Sequence, residues 1–167
     1  MFCYTFTQET MGTLVSRHKY LKISGPLSDQ SFGTFPSITF QKHTFASAPI
    51  YLFYGEHKGM HRGFGLFHIW QQRLISRGNT LEQAEAFLYA ELQSVFKKAD
   101  IHCLFEDIRG NHRPLIVACR SKNTVILQFL VPQQAYSVVT WYDNTSSWGI
   151  NKKQEKGPRV GSLQISY

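Results

Sequence analysis

Cysteine is scarce in this chain: three residues in 167, at positions 3, 103 and 119. Spaced so widely, Cys3, Cys103 and Cys119 form neither a disulfide framework nor a CxxC metal box. Acidic residues are few as well, 11 Asp and Glu against 18 Lys and Arg, for a net charge of +7. No apolar run approaches the roughly 18 residues of a membrane-spanning helix. The opening MFCYTFTQET has neither the basic start nor the long apolar centre of a signal peptide. There is no GxSxG elbow, no P-loop and no dinucleotide fingerprint. Glu106 and Asp107 are adjacent, so on a strand they point to opposite faces and make no carboxylate dyad. His57 and His61 are four apart, but across a glycine-containing loop and not along a helix. No Cys or carboxylate pair completes a zinc or magnesium set around them. The sequence therefore calls for no metal and no cofactor. A basic balance favours a nucleic-acid partner, since Lys and Arg release counterions from phosphates.

What is present is a core. Hydrophobic residues make up 43% and aromatics 14% of the chain, which excludes disorder and points to a substantial sheet. At this length the chain is most simply one domain, 1–167. Residues 1–48 alternate in short aromatic-polar runs that read as short strands and loops. Pro49 to Tyr54 reads as a buried strand ending at Gly55. Leu66 to Arg77 reads as a helix, with Phe67, Trp70 and Leu74 at helical spacing and Gly78 as its stop. Asn79-Thr80-Leu81-Glu82 looks like a capping box opening a second helix, Leu81 to Lys98. From Ile101 the period becomes two. Ile101–Ile108, Pro114–Arg120, Thr124–Val131 and Tyr136–Tyr142 read as four strands joined by turns too short for anything but antiparallel neighbours. The tail from Thr145 reads as a loop. The expected architecture is α+β: two helices in the N-terminal half, packed on one side of an antiparallel β-meander of four or more strands.

Two segments carry candidate chemistry. In Gly55 to Arg73, GEHKGMHRGFGLFHIWQQR, a glycine-rich loop lets backbone come close to a ligand. That loop supplies His57, Lys58, His61 and Arg62 and leads into His68. A histidine can serve as acid and base near neutrality. In Ala135 to Asn144, AYSVVTWYDN, Thr140 and Tyr142 share a strand face with Tyr136 and Val138, while Val139 and Trp141 face the other way. A hydroxyl pair there can orient a phosphate or donate to a developing oxyanion. His112 and Arg113, read as part of a turn, and the basic stretch with Lys152 and Lys153 are candidate phosphate contacts.

GFGLFHIWQQR, a helix, NHRPLIVACR, YSVVTWYDN and the closing RVGSLQ together resemble the barnase–EndoU–colicin–RelE-like nuclease superfamily, in its polymorphic-toxin and phage-associated branches. The likeness spans roughly Pro49 to Leu163, which makes 49–167 the nuclease-like core and leaves 1–48 unmatched. It implies metal-independent cleavage of RNA, often tRNA, by attack of a ribose 2′-hydroxyl on the neighbouring phosphate. By position, His68 is the implied general base or acid, and Thr140 and Tyr142 bind or stabilise the phosphate. Many relatives carry a second histidine five residues after the first, where this chain has Arg73. An arginine can stabilise phosphorane charge but cannot shuttle protons. Five residues are also about 140° of rotation in an ideal helix, so His68 and Arg73 need not face one substrate. The second proton-transfer group is left between His57, His61 and Tyr142. The resemblance further implies a monomeric C-terminal payload of a larger secreted effector, acting in a target-cell cytoplasm and plugged by an acidic immunity protein. The alternative is a non-catalytic module on the same scaffold, binding nucleic acid or a host protein as a phage-type inhibitor does.

Overall fold

A computed structural model of the chain describes residues 19–59, 62–108, 111–143 and 158–167, apart from the side chains of 105–108 and 111–113. The expected strands in 1–18 lie outside the described residues; after them come the short strands β1 (Lys22–Ile23), β2 (Thr34–Phe35), β3 (Ile38–Phe40) and β4 (His43–Phe45). The apolar run after them is β5 (Ala48–Phe53). Instead of an open loop, the glycine-rich segment holds a small hairpin, β6 (Glu56–His57) with β7 (Gly63–Phe64).

The helix expected over 66–77 is three pieces in series. A short α1 (Gly65–Ile69) runs into a π-helical turn at Trp70–Leu74 and then a 3₁₀ turn at Ile75–Arg77. Gly78 ends it in the left-handed conformation, with φ of 79°. Leu66, Ile69 and Leu74 are all fully buried, yet Ile69 and Leu74 are five residues apart. On an α-helix that spacing would turn Leu74 away from the core. The π-turn's i→i+5 bonding, with the Ile75 N–H donating to the Trp70 carbonyl, brings both to one side.

Helix α2 (Leu81–Lys97) starts at a capping box, but one residue later than Asn79 and Glu82 suggest. Thr80 Oγ1 accepts from the Gln83 N–H at 3.2 Å, and Gln83 Oε1 accepts from the Thr80 N–H at 2.9 Å. Ala84, Leu88, Leu92 and Val95 form its buried stripe.

The meander follows as β8 (Ala99–Ile108), β9 (Asn111–Arg120), β10 (Asn123–Leu130) and β11 (Ala135–Asp143). His112 and Arg113 lie within β9, in register with Asp107 and Glu106, and not in a turn. The tail is not all loop either: β12 (Arg159–Leu163) pairs with β8. The sheet has eight strands in the order β1-β5-β11-β10-β9-β8-β12, with β2 also on β5. Every described pairing is antiparallel except β5 with β11, where Ile50 and Tyr51 meet Tyr136 and Ser137. Both helices lie in the chain between these two strands, as a parallel crossover requires. The result is α+β, with a mixed, mostly antiparallel sheet.

Both helices pack on one sheet face, against Ile101, Cys103, Ile116, Ala118, Val125, Leu127, Val138 and Trp141. Val138 and Trp141 share that face because β11 contains a bulge. Leu127 pairs with Val138 and Ile126 with Thr140, which leaves Val139 as an extra residue. The bulge overturns the simple alternation expected of this strand. Thr140 and Tyr142 still face together, but away from Tyr136, Val138 and Trp141. Among the described residues no helix is long and apolar enough to cross a membrane.

Two stability predictions follow from these contacts. Thr80→Ala removes a reciprocal cap and should cost about 1 kcal/mol in urea denaturation. Tyr136 is buried, with its hydroxyl donating to the Ala46 carbonyl at 2.8 Å, and burial pushes its pKa from 10.0 up to about 12. Its contribution is complete below the unfolded value and is lost as pH rises through the folded one. Denaturant stability should therefore fall between pH 10 and 12, and Tyr136→Phe should make that fall shallower.

Candidate active site

The hairpin β6–β7 and helix α1 meet at two histidines. His57 pairs with Gly63 across the hairpin, and its Nδ1 lies 3.1 Å from Nδ1 of His68. The rings are 5.2 Å apart at an interplanar angle of 37°. Two Nδ1 atoms at this separation can bond only if one carries a proton and the other offers a lone pair. The two rings therefore hold opposite roles at Nδ1. His68 is buried at 3% exposure, whereas His57 is half-buried. Of the pair, His57 is the one a substrate reaches more readily.

Gly63 makes the approach possible. Its φ is +139°, and a Cβ there would stand 2.2 Å from the Glu56 carbonyl oxygen and 2.5 Å from His68 Nδ1. Only a residue without a side chain lets this backbone press on the imidazole.

One helical stretch further on, Arg73 lies over Tyr142, its guanidinium carbon 5.8 Å from the ring centroid. The π-turn at Trp70–Leu74 makes the rotation between His68 and Arg73 smaller than the about 140° of an α-helix. With i→i+5 bonding, residues five apart move toward one side. Tyr142 and Thr140 sit two apart beyond the bulge, a rise of about 7 Å. The Thr140 hydroxyl and Arg73 Nε are both buried without a hydrogen-bond partner among the described residues. An unsatisfied buried polar group costs about 1–3 kcal/mol, which a ligand with acceptor oxygens would return. Arg73 offers donors only, and Thr140 can donate or accept. An anion suits both.

The structure gathers other candidates unevenly. Lys58 is exposed and held by Glu56 at 3.1 Å, with Lys19 on the same carboxylate oxygen at 3.6 Å. Such an exposed pair is worth about 0–1 kcal/mol, so a phosphate could displace Glu56 from Lys58. Arg62 is exposed in the turn between β6 and β7, where its carbonyl accepts from the Lys58 N–H at 2.9 Å. Arg113 sits toward the start of β9, whereas Tyr142 registers with Thr124 and Thr124 with Cys119 near its end. The fold does not bring Arg113 to Tyr142. His61, Lys152 and Lys153 lie outside the described residues. Among the described residues, no group of three His, Cys, Asp or Glu gathers as a metal site would need.

One participant was missed by the sequence reading. Arg77 bonds Asp143 at 3.1 Å and lies over the Trp141 ring at 5.9 Å. Its position four residues after Arg73 was the available signal. Together Arg73 and Arg77 grip the end of β11 from both faces.

The molecule so defined is an α+β domain with a histidine pair where a hairpin meets α1 and, further along the same helical stretch, a half-buried arginine over Tyr142 of β11. Searched against family models, curated proteins and solved structures, the chain matches none of them.

Gly63→Ala tests whether backbone contact holds the histidine pair. It should destabilise the protein by about 1–3 kcal/mol and change the ¹⁵N signals of both imidazoles. Gly59, at φ of +108° with nothing near its would-be Cβ, is the control: Gly59→Ala carries backbone strain without the clash, and should leave those signals in place. Unmoved imidazole signals in Gly63→Ala would show that the hairpin does not set the pair.

Proposed function

We propose that this chain is a metal-independent endoribonuclease of the barnase–EndoU–colicin–RelE-like kind. The observation that carries the reading is the Nδ1–Nδ1 pairing of His57 with buried His68. It offers an answer to the arginine at position 73: the second histidine comes from the hairpin, not from the helix.

In this reading His57 takes the proton of the ribose 2′-hydroxyl, and His68 fixes its tautomer and orientation through the shared Nδ1 contact. The 2′-oxygen bonds to phosphorus as the bond to the 5′-oxygen breaks. Arg73 and Thr140 bind the non-bridging oxygens, where negative charge builds up. Tyr142 gives a proton to the departing 5′-oxygen. The products are a 2′,3′-cyclic phosphate and a free 5′-hydroxyl. Lys58 and Arg62 hold flanking phosphates, with no cofactor. The RNA is of the tRNA class, and the protein acts as a monomeric toxin payload delivered by a larger secreted effector. The +7 charge suits an acidic immunity protein that occupies the same cleft.

One observation favours a second reading. His68 is 3% exposed, and a buried histidine with an arginine in place of its usual partner also fits a non-catalytic binding module on the same scaffold. Incubation with total RNA in EDTA separates the two. Discrete fragments ending in 2′,3′-cyclic phosphate are expected from the wild type. His57→Ala and His68→Ala should each slow their formation by about a hundred- to ten-thousandfold, with Arg73→Ala also impaired. RNA left intact by the wild type would overturn the enzymatic reading in favour of the binding module.

A further inference from the structure

The N-terminal portion, unmatched by the resemblance, contributes a feature that the proposed reaction does not use. Residues 19–23 run along the end of β5: Lys22 and Ile23 pair with Phe53 and Leu52. The Tyr54 N–H donates to the Leu21 carbonyl at 2.8 Å and the Gly55 N–H to the Lys19 carbonyl at 2.9 Å. These bonds hold Tyr20 over the β6–β7 hairpin. Its ring stacks on Phe64 at 5.7 Å and 28°, and meets Phe53 edge-on at 5.9 Å and 87°. Even so, Tyr20 remains 42% exposed.

Cations surround this aromatic surface. Lys19 Nζ stands 5.2 Å from the Tyr20 ring centre and Lys22 Nζ 3.9 Å from that of Tyr51. Lys58 shares Glu56 with Lys19. The acidic groups are Glu56 itself and Asp29, which receives the Tyr51 hydroxyl at 3.4 Å. Glu56 is in register with Phe64, and the next register pair is His57 with Gly63. Successive strand residues point to opposite faces. Tyr20 and Phe64 therefore occupy one face of a two-stranded ribbon whose other face presents the histidine pair.

We propose that Tyr20, backed by Phe64 and flanked by Lys19 and Lys22, is a stacking platform for a nucleobase next to the cleaved phosphate. The assignment rests on the ribonuclease reading and adds where the RNA strand runs: across the hairpin, with a base on one side and its phosphate toward His57. A ring already stacked on a second ring is ordered before the base arrives. The lysines neutralise the phosphates on either side of that base. An aromatic face accepts any base, so this contact adds affinity without choosing sequence. A nucleotide strand fits the surface better than an acidic peptide, because a peptide would satisfy the lysines and leave the exposed ring unused.

The test uses the full chain and a short single-stranded 2′-O-methyl RNA, which lacks the attacking hydroxyl and stays intact. Tyr20→Leu keeps apolar packing against Phe64 and Phe53 but removes the π-face, and should weaken binding about ten- to hundredfold. Tyr20→Phe should bind as the wild type does. In Tyr20→Trp, the oligomer should quench emission beyond the change seen in the wild type. Equal binding by wild type and Tyr20→Leu, with no added quenching, would overturn the platform while leaving the ribonuclease reading intact. Quenching by polyglutamate equal to that by RNA would overturn it in favour of an acidic protein partner. Absence of both oligomer binding and RNA cleavage in the wild type would overturn the platform and the ribonuclease reading together.

Discussion

Strand β11 is held unequally on its two sides, and the candidate site depends on that inequality. Along one side it pairs with β10 from Ala135 to Asp143. Along the other, among the described residues, it pairs with β5 only at Tyr136 and Ser137. Among the described residues, the second half of the strand has an edge with no strand paired to it. The helical stretch from Gly65 to Arg77 packs there instead. Arg73 reaches Tyr142 on one face and Arg77 reaches Trp141 and Asp143 on the other. An edge covered by a helix is protected from pairing with another chain, and here the covering element also carries His68 and Arg73.

The hairpin brings a second histidine to α1. Backbone bonds join Lys58 to Arg62 and Arg62 to Gly59, and His57 lies on the paired strand beside them. His68, by contrast, comes from a helix whose neighbours Leu66 and Ile69 are core residues. One ring is thus fixed by the interior and the other by the surface hairpin. The contact between them ties the hairpin to the hydrophobic core.

Much of the architecture was legible in the sequence. The switch to period two after Ile101 gave the four strands of the meander, and the apolar stripe from Ala84 to Val95 gave the long helix. Its cap was read one residue early, because Asn79-Glu82 and Thr80-Gln83 fit the same pattern and only geometry chooses between them. The parallel β5–β11 pair could not be read, since neither strand's alternation says which distant strand it joins. The bulge at Val139 was hidden for a related reason: Tyr-Ser-Val-Val-Thr-Trp-Tyr alternates plausibly with or without a skipped residue. At the site, His68, Arg73, Thr140 and Tyr142 were named from sequence, and the structure joins Arg73 to Tyr142. The specific partnership of His57 with His68 was beyond reach, because it depends on a glycine at position 63 allowing two backbones to touch. Tyr20 carried no signal, as a lone aromatic between lysines is commonplace.

The π-turn in the helix and the bulge in β11 are the same kind of irregularity. Each carries one residue more than the regular element would. They lie against one another, Arg73 from the first covering Tyr142 just beyond the second. Regularising either alone would rotate its side chains out of phase with the other, whereas removing one residue from both would keep the two elements matched. Substitutions should therefore accumulate in this region far more readily than single-residue insertions or deletions. Among distant descendants of this chain, length changes here should come in pairs.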